Sequence, residues 1–269
     1  MRALLASPLG FLIGVSLGAL GGGGSILAVP ALVFVAGEDP KAATTTSLFV
    51  VGLTATVGMF GLLRAGRVRV VPGVLFGLAG VGGSIVGSAL NRGVDPQVLL
   101  LAFSGIMVLA AWRMWANRPP LEDPPLGAGE GGSAVVTATR VEADLATVLK
   151  VLGAGTLVGL LTGFFGVGGG FVVVPALVLA LGFSMPEAVG TSLLVIAINS
   201  AVALVNRLAT SGVEWEFAFP FTVASIAGVL VGYRLADRLP AGKLVRAFVA
   251  LLLAVAIYTA ARSLATLLG

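Results

Sequence analysis

Hydrophobic residues in this chain form long continuous runs, and the charged residues collect between them. The runs do not alternate with the period of two expected for the strands of a membrane β-barrel. Each run is long enough for a spanning helix, which needs roughly 20 apolar residues. The pattern predicts about eight segments, at residues 9–36, 42–63, 70–90, 96–116, 147–182, 187–210, 217–237 and 241–266. We therefore expect an all-α polytopic membrane protein.

The composition supports this class of protein. Hydrophobic residues make up 58% of the 269 residues and charged residues 10%, with a mean hydropathy of +1.09. So apolar a chain cannot hide its side chains inside a water-soluble globule. The net charge of +4 is spread between the hydrophobic runs. This distribution is typical of charges that set membrane topology and face lipid, rather than of nucleic-acid binding.

One stretch between the fourth and fifth segments differs in composition. Residues 117–146 contain four prolines, a glycine-rich run and five carboxylates. Such a composition buries too little apolar surface to order itself. We predict a flexible aqueous linker that separates a first transmembrane repeat, residues 1–116, from a second, residues 147–269.

The first and fifth segments carry the same glycine-rich pattern. Residues 14–48 and 159–193, overlaid without a gap, are identical at 15 of 35 positions. The shared positions include several glycines, Val-Pro-Ala-Leu-Val at 29–33 and 174–178, and Thr-Ser-Leu at 46–48 and 191–193. Duplicated apolar segments interrupted by glycine are typical of transporters built from two structural repeats around a shared site. We expect two four-segment repeats, with segments 1 and 5 interrupted by glycine.

The orientation of the second repeat is left open by the sequence. Simple alternation with the N-terminus in the cytoplasm places ten of the sixteen Lys and Arg inside, but puts Arg234, Arg238, Lys243 and Arg246 outside. This mismatch with the positive-inside preference disappears if segments 1 and 5 each enter and leave on one face. That arrangement gives three crossings per half, an inverted second repeat, a cytoplasmic linker and two external termini.

The glycine runs are the first candidates for substrate contact. Each Gly weakens a helix interior by around 1 kcal/mol relative to Ala, and irregular backbone within a membrane needs surrounding protein or a wet cavity. Where a helix restarts after such a break, its free N–H groups form an anion site without a charged side chain. The flanking Gly14-x-x-x-Gly18 and Gly159-x-x-x-Gly163 pairs instead predict close helix packing. The candidate substrate contacts are Gly23, Gly24, Ser25, Gly168, Gly169 and Gly170.

Hydroxyl and amide side chains in segments 2 and 6 are the second set of candidates. Donors from the two repeats can converge on one oxyanion near the middle of the membrane. Asn199 is the strongest single candidate, because an amide in so apolar a run needs a partner or a ligand. For Thr44 and Thr45, helix N-capping is the preferred interpretation. The predicted set is Thr46, Ser47, Thr191, Ser192 and Asn199.

Other chemistry is limited by the residues that the chain lacks. It has no Cys and no His, so disulfides, thiolate metal sites and imidazole proton shuttles are excluded. No nucleophile–base pair or cofactor motif can be assembled, so we expect no enzyme, no metal site and no cofactor. All twelve carboxylates lie at segment ends or in the linker, which argues against a proton relay inside the membrane. Glu187 is the one carboxylate placed to couple transport to protons, and its alternative role is to stabilise a helix start.

The paired motif resembles the TauE/SafE sulfite exporter family. The resemblance rests on the doubled G-x-x-x-G-x-x-G-x-G-G pattern, on Val-Pro-Ala-Leu, and on Ala-x-x-Thr-Ser-Leu at 43–48 and 188–193. It covers residues 10–115 and 150–265, and it implies a multi-pass permease of the cell inner membrane for sulfur-containing anions, often in export. The first copy departs from the family's G-x-G-G-G, since Ser25 stands where the second copy has Gly170.

We therefore predict a secondary transporter that exports sulfite or a small organosulfonate anion by alternating access. The glycine breaks and the hydroxyl set are expected to line its central site. An anion channel with the same site, and a membrane scaffold or assembly factor that transports nothing, stay as alternatives. The sequence leaves open proton coupling and a homodimer, for which the glycine-rich helix faces offer a surface.

Overall fold

The computed structural model describes residues 2–32, 40–90, 96–117, 145–165, 170–208, 213 and 215–268. Within these ranges it consists of ten α-helices and one 3-10 turn, with no strand. The helices are α1 (Arg2–Leu20), α2 (Ser25–Ala31), α3 (Pro40–Arg64), α4 (Val70–Leu90), α5 (Pro96–Ala116), α6 (Leu145–Phe165), α7 (Gly170–Leu179), α8 (Met185–Leu208), α9 (Trp215–Asp237) and α10 (Ala241–Leu268), and the 3-10 turn is Gly21–Gly24.

Seven helices among the described residues are long and apolar enough to cross a membrane. The predicted all-α polytopic membrane fold is therefore confirmed. The fourth predicted segment forms α5, whose apolar stretch Leu101–Ala116 is shorter than the other seven. Residues 118–144, which include most of the predicted linker, lie outside the described residues.

The first half of the chain packs mainly against the second half. α1 lies along α9, α4 along α6, α3 along α8 and α5 along α10. A Cβ on Gly14 would overlap the carbonyl oxygen of Ser225, and a Cβ on Gly159 would overlap that of Gly80. Backbones approach this closely only where side chains are absent. The predicted packing role of both G-x-x-x-G pairs is therefore confirmed.

Ion pairs identify one face of the helix bundle. Arg67 and Arg69, in the loop between α3 and α4, pair with Asp237 at the end of α9 and with Glu187 in the first turn of α8. α6 also begins on this side, because it runs parallel to α4, with Gly155 beside Phe76 and Gly163 beside Ser84. We name it the linker face, since α6 is the helix that follows the linker.

The opposite face holds the beginnings of α1, α3 and α9. Phe49, near the start of α3, meets Trp215, the first residue of α9, edge to face with ring centroids 5.3 Å apart. α1 runs parallel to α9, with Gly10 beside Phe221 and Gly18 beside Val229. Arg246 near the start of α10 lies over the Trp115 ring at the end of α5. Since α5 starts on the side where α4 ends, α10 begins at the linker face and ends on the opposite one, which we name the terminal face.

The chain reverses direction within its first glycine-rich segment. Gly21 has a φ of 70°, a backbone conformation that favours glycine. A Cβ on Gly24 would lie 2.6 Å from the carbonyl oxygen of Ile13, so the 3-10 turn lies back against α1. Because α1 and α3 both begin at the terminal face, the α1–α2 segment enters and leaves there. α6 and α8 both begin at the linker face, and the second glycine-rich segment therefore enters and leaves on that side.

Candidate functional site

A cavity of about 450 Å³ lies between α4, α6 and α8. Its outer end is at Ser88 and Ala89, which are exposed near the terminal-face end of α4, and its inner end is at the buried residues Gly170 and Ile196. None of the described residues that line it is charged. The lining consists of Leu48, Gly80, Val81, Ser84, Ile85, Ser88, Ala89, Gly159, Thr162, Gly170, Ile196, Asn199, Ser200, Val202 and Ala203.

The polar wall on α4 follows from residue spacing. Gly80, Ser84 and Ser88 lie four residues apart and therefore share one side of the helix. Ser84 Oγ donates to the carbonyl of Val81 at 2.8 Å, and Ser88 Oγ donates to the carbonyl of Gly163 at 3.3 Å. These side chains are too short to reach across to α8, so space remains in front of them. Their hydroxyl protons can rotate toward a ligand that enters this space.

Asn199 is the most distinctive residue of the cavity. Its Oδ1 is buried and has no hydrogen-bond partner among the described residues. Its Nδ2 points toward α4, 3.9 Å from where a Cβ on Gly80 would lie. A buried amide oxygen without a partner costs about 1–3 kcal/mol, which makes a ligand-binding role a reasonable explanation. The structure thus places this predicted residue in the cavity.

The two glycine breaks meet in the middle of the bundle. A Cβ on Gly22 would overlap the carbonyl oxygen of Gly170, so the backbones touch directly. Ser25 Oγ donates to the carbonyl of Gly22 at 2.7 Å and also lies against Gly170. Gly170 begins α7 and lines the inner end of the cavity. The predicted contacts Gly168 and Gly169 lie outside the described residues.

The other two predicted glycines face neighbouring helices. Gly23 packs toward α10, where its Cβ would lie 2.6 Å from Leu251 Cδ2. Gly24 packs against Ile13 and Leu17 of α1. Both residues are buried, and neither lines the cavity. In this conformation their lack of a side chain serves helix packing.

The four predicted hydroxyl residues, unlike Asn199, are buried outside the cavity. Ser47 Oγ donates to the carbonyl of Thr44 at 2.8 Å, and Ser192 Oγ to that of Val189 at 2.8 Å. Thr191 Oγ1 accepts a hydrogen bond from the backbone N–H of Arg69 at 3.1 Å, and Thr46 is fully buried. These residues lie inside α3 and α8 rather than at their ends, because the helices begin at Pro40 and Met185. The N-capping interpretation of Thr44 and Thr45 is therefore wrong.

Four polar residues of the cavity lie outside the predicted set, and one of them, Ser200, directly follows the predicted Asn199. Ser84, Ser88 and Thr162 lie in segments 3 and 5, whose polar residues were not considered as donors. The signal that could have identified the first two is the Gly-Ser repetition Gly83-Ser84 and Gly87-Ser88, which marks one face of α4 as small and polar. Thr162 carries no comparable signal, because Thr is common in membrane helices.

Glu187 acts at the beginning of α8. Its Oε2 accepts hydrogen bonds from the backbone N–H of Ser184 at 3.2 Å and from the hydroxyl of Ser184 at 3.0 Å. This Ser-x-x-Glu arrangement satisfies backbone donors at a helix start. Its Oε1 accepts from Arg69 Nη2 at 2.6 Å and from Arg69 Nε at 2.9 Å. The helix-start role is confirmed, with an added ion pair to the α3–α4 loop.

Comparison with known proteins identifies one family and several related membrane transporters. The sequence pattern of the family described as Sulfite exporter TauE/SafE matches residues 6–259. A probable membrane transporter protein of Xylella fastidiosa (strain Temecula1) is 36% identical over 266 residues, which cover 97% of this chain and 95% of the relative. The probable membrane transporter protein YunE of Bacillus subtilis is 25% identical over 246 residues, covering 86% of this chain and 84% of the relative. No solved structure matches the chain.

Proposed function

This chain belongs to the TauE/SafE sulfite exporter family and is a membrane transporter, and we propose that it exports sulfite or a small organosulfonate anion across the cytoplasmic membrane by alternating access. The observation that carries the proposal is the cavity between α4, α6 and α8. It leads from the terminal face to the point where the two glycine-rich segments meet. A dead-ended cavity at this depth, with hydroxyl and amide groups in a mainly apolar lining, is what a carrier needs in one of its two states.

The chemistry of the lining favours a small anion. The described lining residues offer hydroxyl, amide and backbone groups and no carboxylate, so they do not repel a negative charge. Neutral donors replace part of the hydration of an oxyanion, but each binds it more weakly than a guanidinium would. Binding is then weak enough for the substrate to be released on the other side of the membrane.

Asn199 and Gly170 are the central substrate contacts in this proposal. The two ends of an amide exchange by a half turn, so the Asn199 NH₂ group can take the place of the unpartnered Oδ1 and donate to the substrate. Gly170 begins α7, and the first N–H groups of a helix have no partner within it and favour an anion. Gly168 and Gly169 directly precede this helix start, and in the proposal they supply further backbone donors.

The remaining predicted contacts are proposed to bind the substrate in a different conformation of the protein. Thr46, Ser47, Thr191 and Ser192 lie between α3, α8 and their neighbours rather than in the cavity. They would reach the substrate only after α3 and α8 have moved apart. We propose the same for Ser25, Gly23 and Gly24, which would contact the substrate only after a conformational change.

We further infer that the linker face is cytoplasmic. Of the thirteen Lys and Arg among the described residues, nine lie toward the linker face and four toward the terminal face. Cytoplasmic loops carry the excess of Lys and Arg, so the cavity opens to the outside. The linker-face set is Arg64, Arg67, Arg69, Arg113, Lys150, Arg234, Arg238, Lys243 and Arg246.

Closure of the linker face favours a carrier over a channel. The α3–α4 loop is held across this face by the Arg67–Asp237 and Arg69–Glu187 ion pairs. A Cβ on Gly190 would lie 2.5 Å from the carbonyl oxygen of Arg67, so the loop also packs tightly on α8. A channel needs a continuous path, whereas an alternating-access carrier is closed on one side at any moment.

The experiment that tests the function is anion flux into proteoliposomes containing the purified protein. Sulfite, sulfoacetate, thiosulfate and sulfate are each offered with and without an imposed pH gradient. We expect saturable flux of sulfite or an organosulfonate, loss of that flux in Gly168→Leu, and normal flux in Gly153→Ala, which alters an exposed position with open space around it. Stimulation by the pH gradient would show proton coupling. Absence of flux for all four anions in well-inserted protein would contradict the proposal.

A further inference from the structure

The contacts of the two halves correspond residue by residue. Gly14 contacts Ser225, and Gly159 contacts Gly80. Gly159 lies 145 residues after Gly14, and Ser225 lies 145 residues after Gly80, so the two contacts join equivalent positions of the two halves. Gly18 with Val229 corresponds in the same way to Gly163 with Ser84, and Gly10 with Phe221 to Gly155 with Phe76. The pairings α1–α9 and α6–α4 are thus related by exchange of the halves. For every residue of the cavity there is a counterpart in the other half.

The counterpart of the cavity is closed. Leu48, Ser84 and Ala203 line open space, and their counterparts are Leu193, Val229 and Gly58. A Cβ on Gly58 would lie 2.8 Å from Val229 Cγ2 and 3.0 Å from Leu193 Cδ1, so no gap exists there. The same three positions are therefore open in one half and packed in the other.

Thr54 is the counterpart of Asn199 in the closed region. It is 1% exposed, and its Oγ1 has no hydrogen-bond partner among the described residues. Ser and Thr in helices usually donate to a carbonyl one turn earlier, as Thr56 does to Gly52 at 2.7 Å. A buried hydroxyl without any partner is rare and calls for an explanation. Asn199 and Thr54 are thus equivalent positions that both carry an unpartnered polar atom.

We propose that Thr54 is a second substrate-contact residue, reached from the linker face when the halves exchange conformations and the Asn199 cavity closes. This inference rests on the proposed transport of a small oxyanion. In the second state, Thr54 lines a cavity between α1, α3 and α9 that opens to the linker face. The Thr54 hydroxyl then donates to the same anion that Asn199 binds from the terminal face.

The structure also shows what closes this second path. A Cβ on Gly61 would lie 3.2 Å from Tyr233 Cε1, so the Tyr233 ring covers α3 on the linker-face side of Thr54. The counterpart of Tyr233 is Ser88, which is exposed at the mouth of the open cavity. Opening the second path therefore requires the Tyr233 ring to leave Gly61.

Cysteine labelling tests the inference directly, because the chain contains no Cys. Thr54→Cys and Ser88→Cys are made singly, and a membrane-impermeant maleimide is added to one side of oriented vesicles. With Tyr233 intact, we expect Ser88→Cys to be labelled from the terminal face and Thr54→Cys to be nearly inert from both faces. Tyr233→Ser, which copies the residue at the open mouth, should raise the labelling rate of Thr54→Cys from the linker face by about tenfold or more and slow that of Ser88→Cys.

The outcomes separate this inference from the proposed function. Unchanged labelling of Thr54→Cys from the linker face in the Tyr233→Ser background, or labelling from the terminal face, would overturn the second contact. Anion flux is measured in parallel on protein with Thr54 intact. If this protein transports an anion while Thr54→Cys stays unlabelled, the second contact is wrong but the proposed function stands. If Tyr233→Ser does not fold, Arg69→Gln, which removes the ion pair to Glu187 at the linker face, is used in its place. Because a partly exposed ion pair is weak, the expected rise in Thr54→Cys labelling from the linker face is then up to about fivefold, and no rise would overturn the second contact.

Discussion

At the scale of single residues, the cavity depends on small polar side chains at positions where the other half has larger side chains. Ser84, Ser88 and Thr162 correspond to Val229, Tyr233 and Leu17. Each replacement adds volume, and those by Val229 and Leu17 also remove a hydroxyl. The two paths therefore differ at these three positions, where the path to the terminal face has the smaller side chains.

Replacement of Asn199 by Ala is expected to weaken substrate binding without unfolding the protein. A hydrogen bond to a charged group contributes about 1.5–3 kcal/mol, which corresponds to a rise in KM of roughly 10- to 100-fold. Stability should change little, because Oδ1 has no partner to lose among the described residues. The measurement is initial flux against substrate concentration, beside thermal unfolding in detergent. An unchanged KM would remove Asn199 from the site.

At the scale of helices, glycine faces bring α1 to α9 and α4 to α6 close enough for backbone contact. A hydrophobic driving force is absent between helices in lipid, so such close packing is a main source of association. The same glycines prevent side chains from filling the space between α4 and α6. Packing and cavity therefore depend on the same residues.

Replacement of Gly159 by Ala is expected to destabilise the α4–α6 pair. The added Cβ would overlap the carbonyl oxygen of Gly80, which is backbone and cannot move aside, and overpacking of this kind typically costs about 1–3 kcal/mol. Gly153→Ala is the matched control on the same helix, since nothing lies within 4 Å of its Cβ. It should be neutral or slightly stabilising. Thermal unfolding of both variants in detergent measures the difference, and equal stability would contradict the packing argument.

At the scale of the whole molecule, the two halves cross the bundle in opposite directions. α1 begins at the terminal face and α6 at the linker face, and each glycine-rich segment returns to the side from which it came. Among the described residues, two ion pairs close the linker face, whereas a cavity opens at the terminal face. This asymmetry is what a single state of an alternating-access carrier would show.

The topology predicts that the C-terminus lies outside the cell and that the linker lies in the cytoplasm. A C-terminal reporter that is active only in the cytoplasm should be inactive, whereas the same reporter inserted in the linker should be active. The reason is the excess of Lys and Arg at the linker face. The opposite pattern of activities would reverse the orientation of the cavity while leaving the helix packing intact.

Loss of the ion pair between Arg69 and Glu187 is expected to open the linker face only partly. Glu187→Gln keeps an acceptor for Ser184 but removes the charge that holds the α3–α4 loop. Both side chains are partly exposed, so the pair contributes at most about 1 kcal/mol, and labelling of Thr54→Cys from the linker face should rise by up to about fivefold. High salt should reduce the difference between Glu187→Gln and the parent protein, because screening weakens the pair.

The sequence by itself determined the membrane class, the helical segments, the glycine pairs that pack helices, and Asn199 as the leading polar candidate. These features depend on local composition and spacing, which a sequence displays directly. Only the tertiary structure decided which helices face each other, and hence that Ser84, Ser88 and Thr162 join Asn199 while Thr46 and Ser192 do not line the cavity. The reason is that contacts between distant helices depend on how glycine faces of the two halves fit together. A hydroxyl that lines a cavity and one that is packed between helices look alike along the chain.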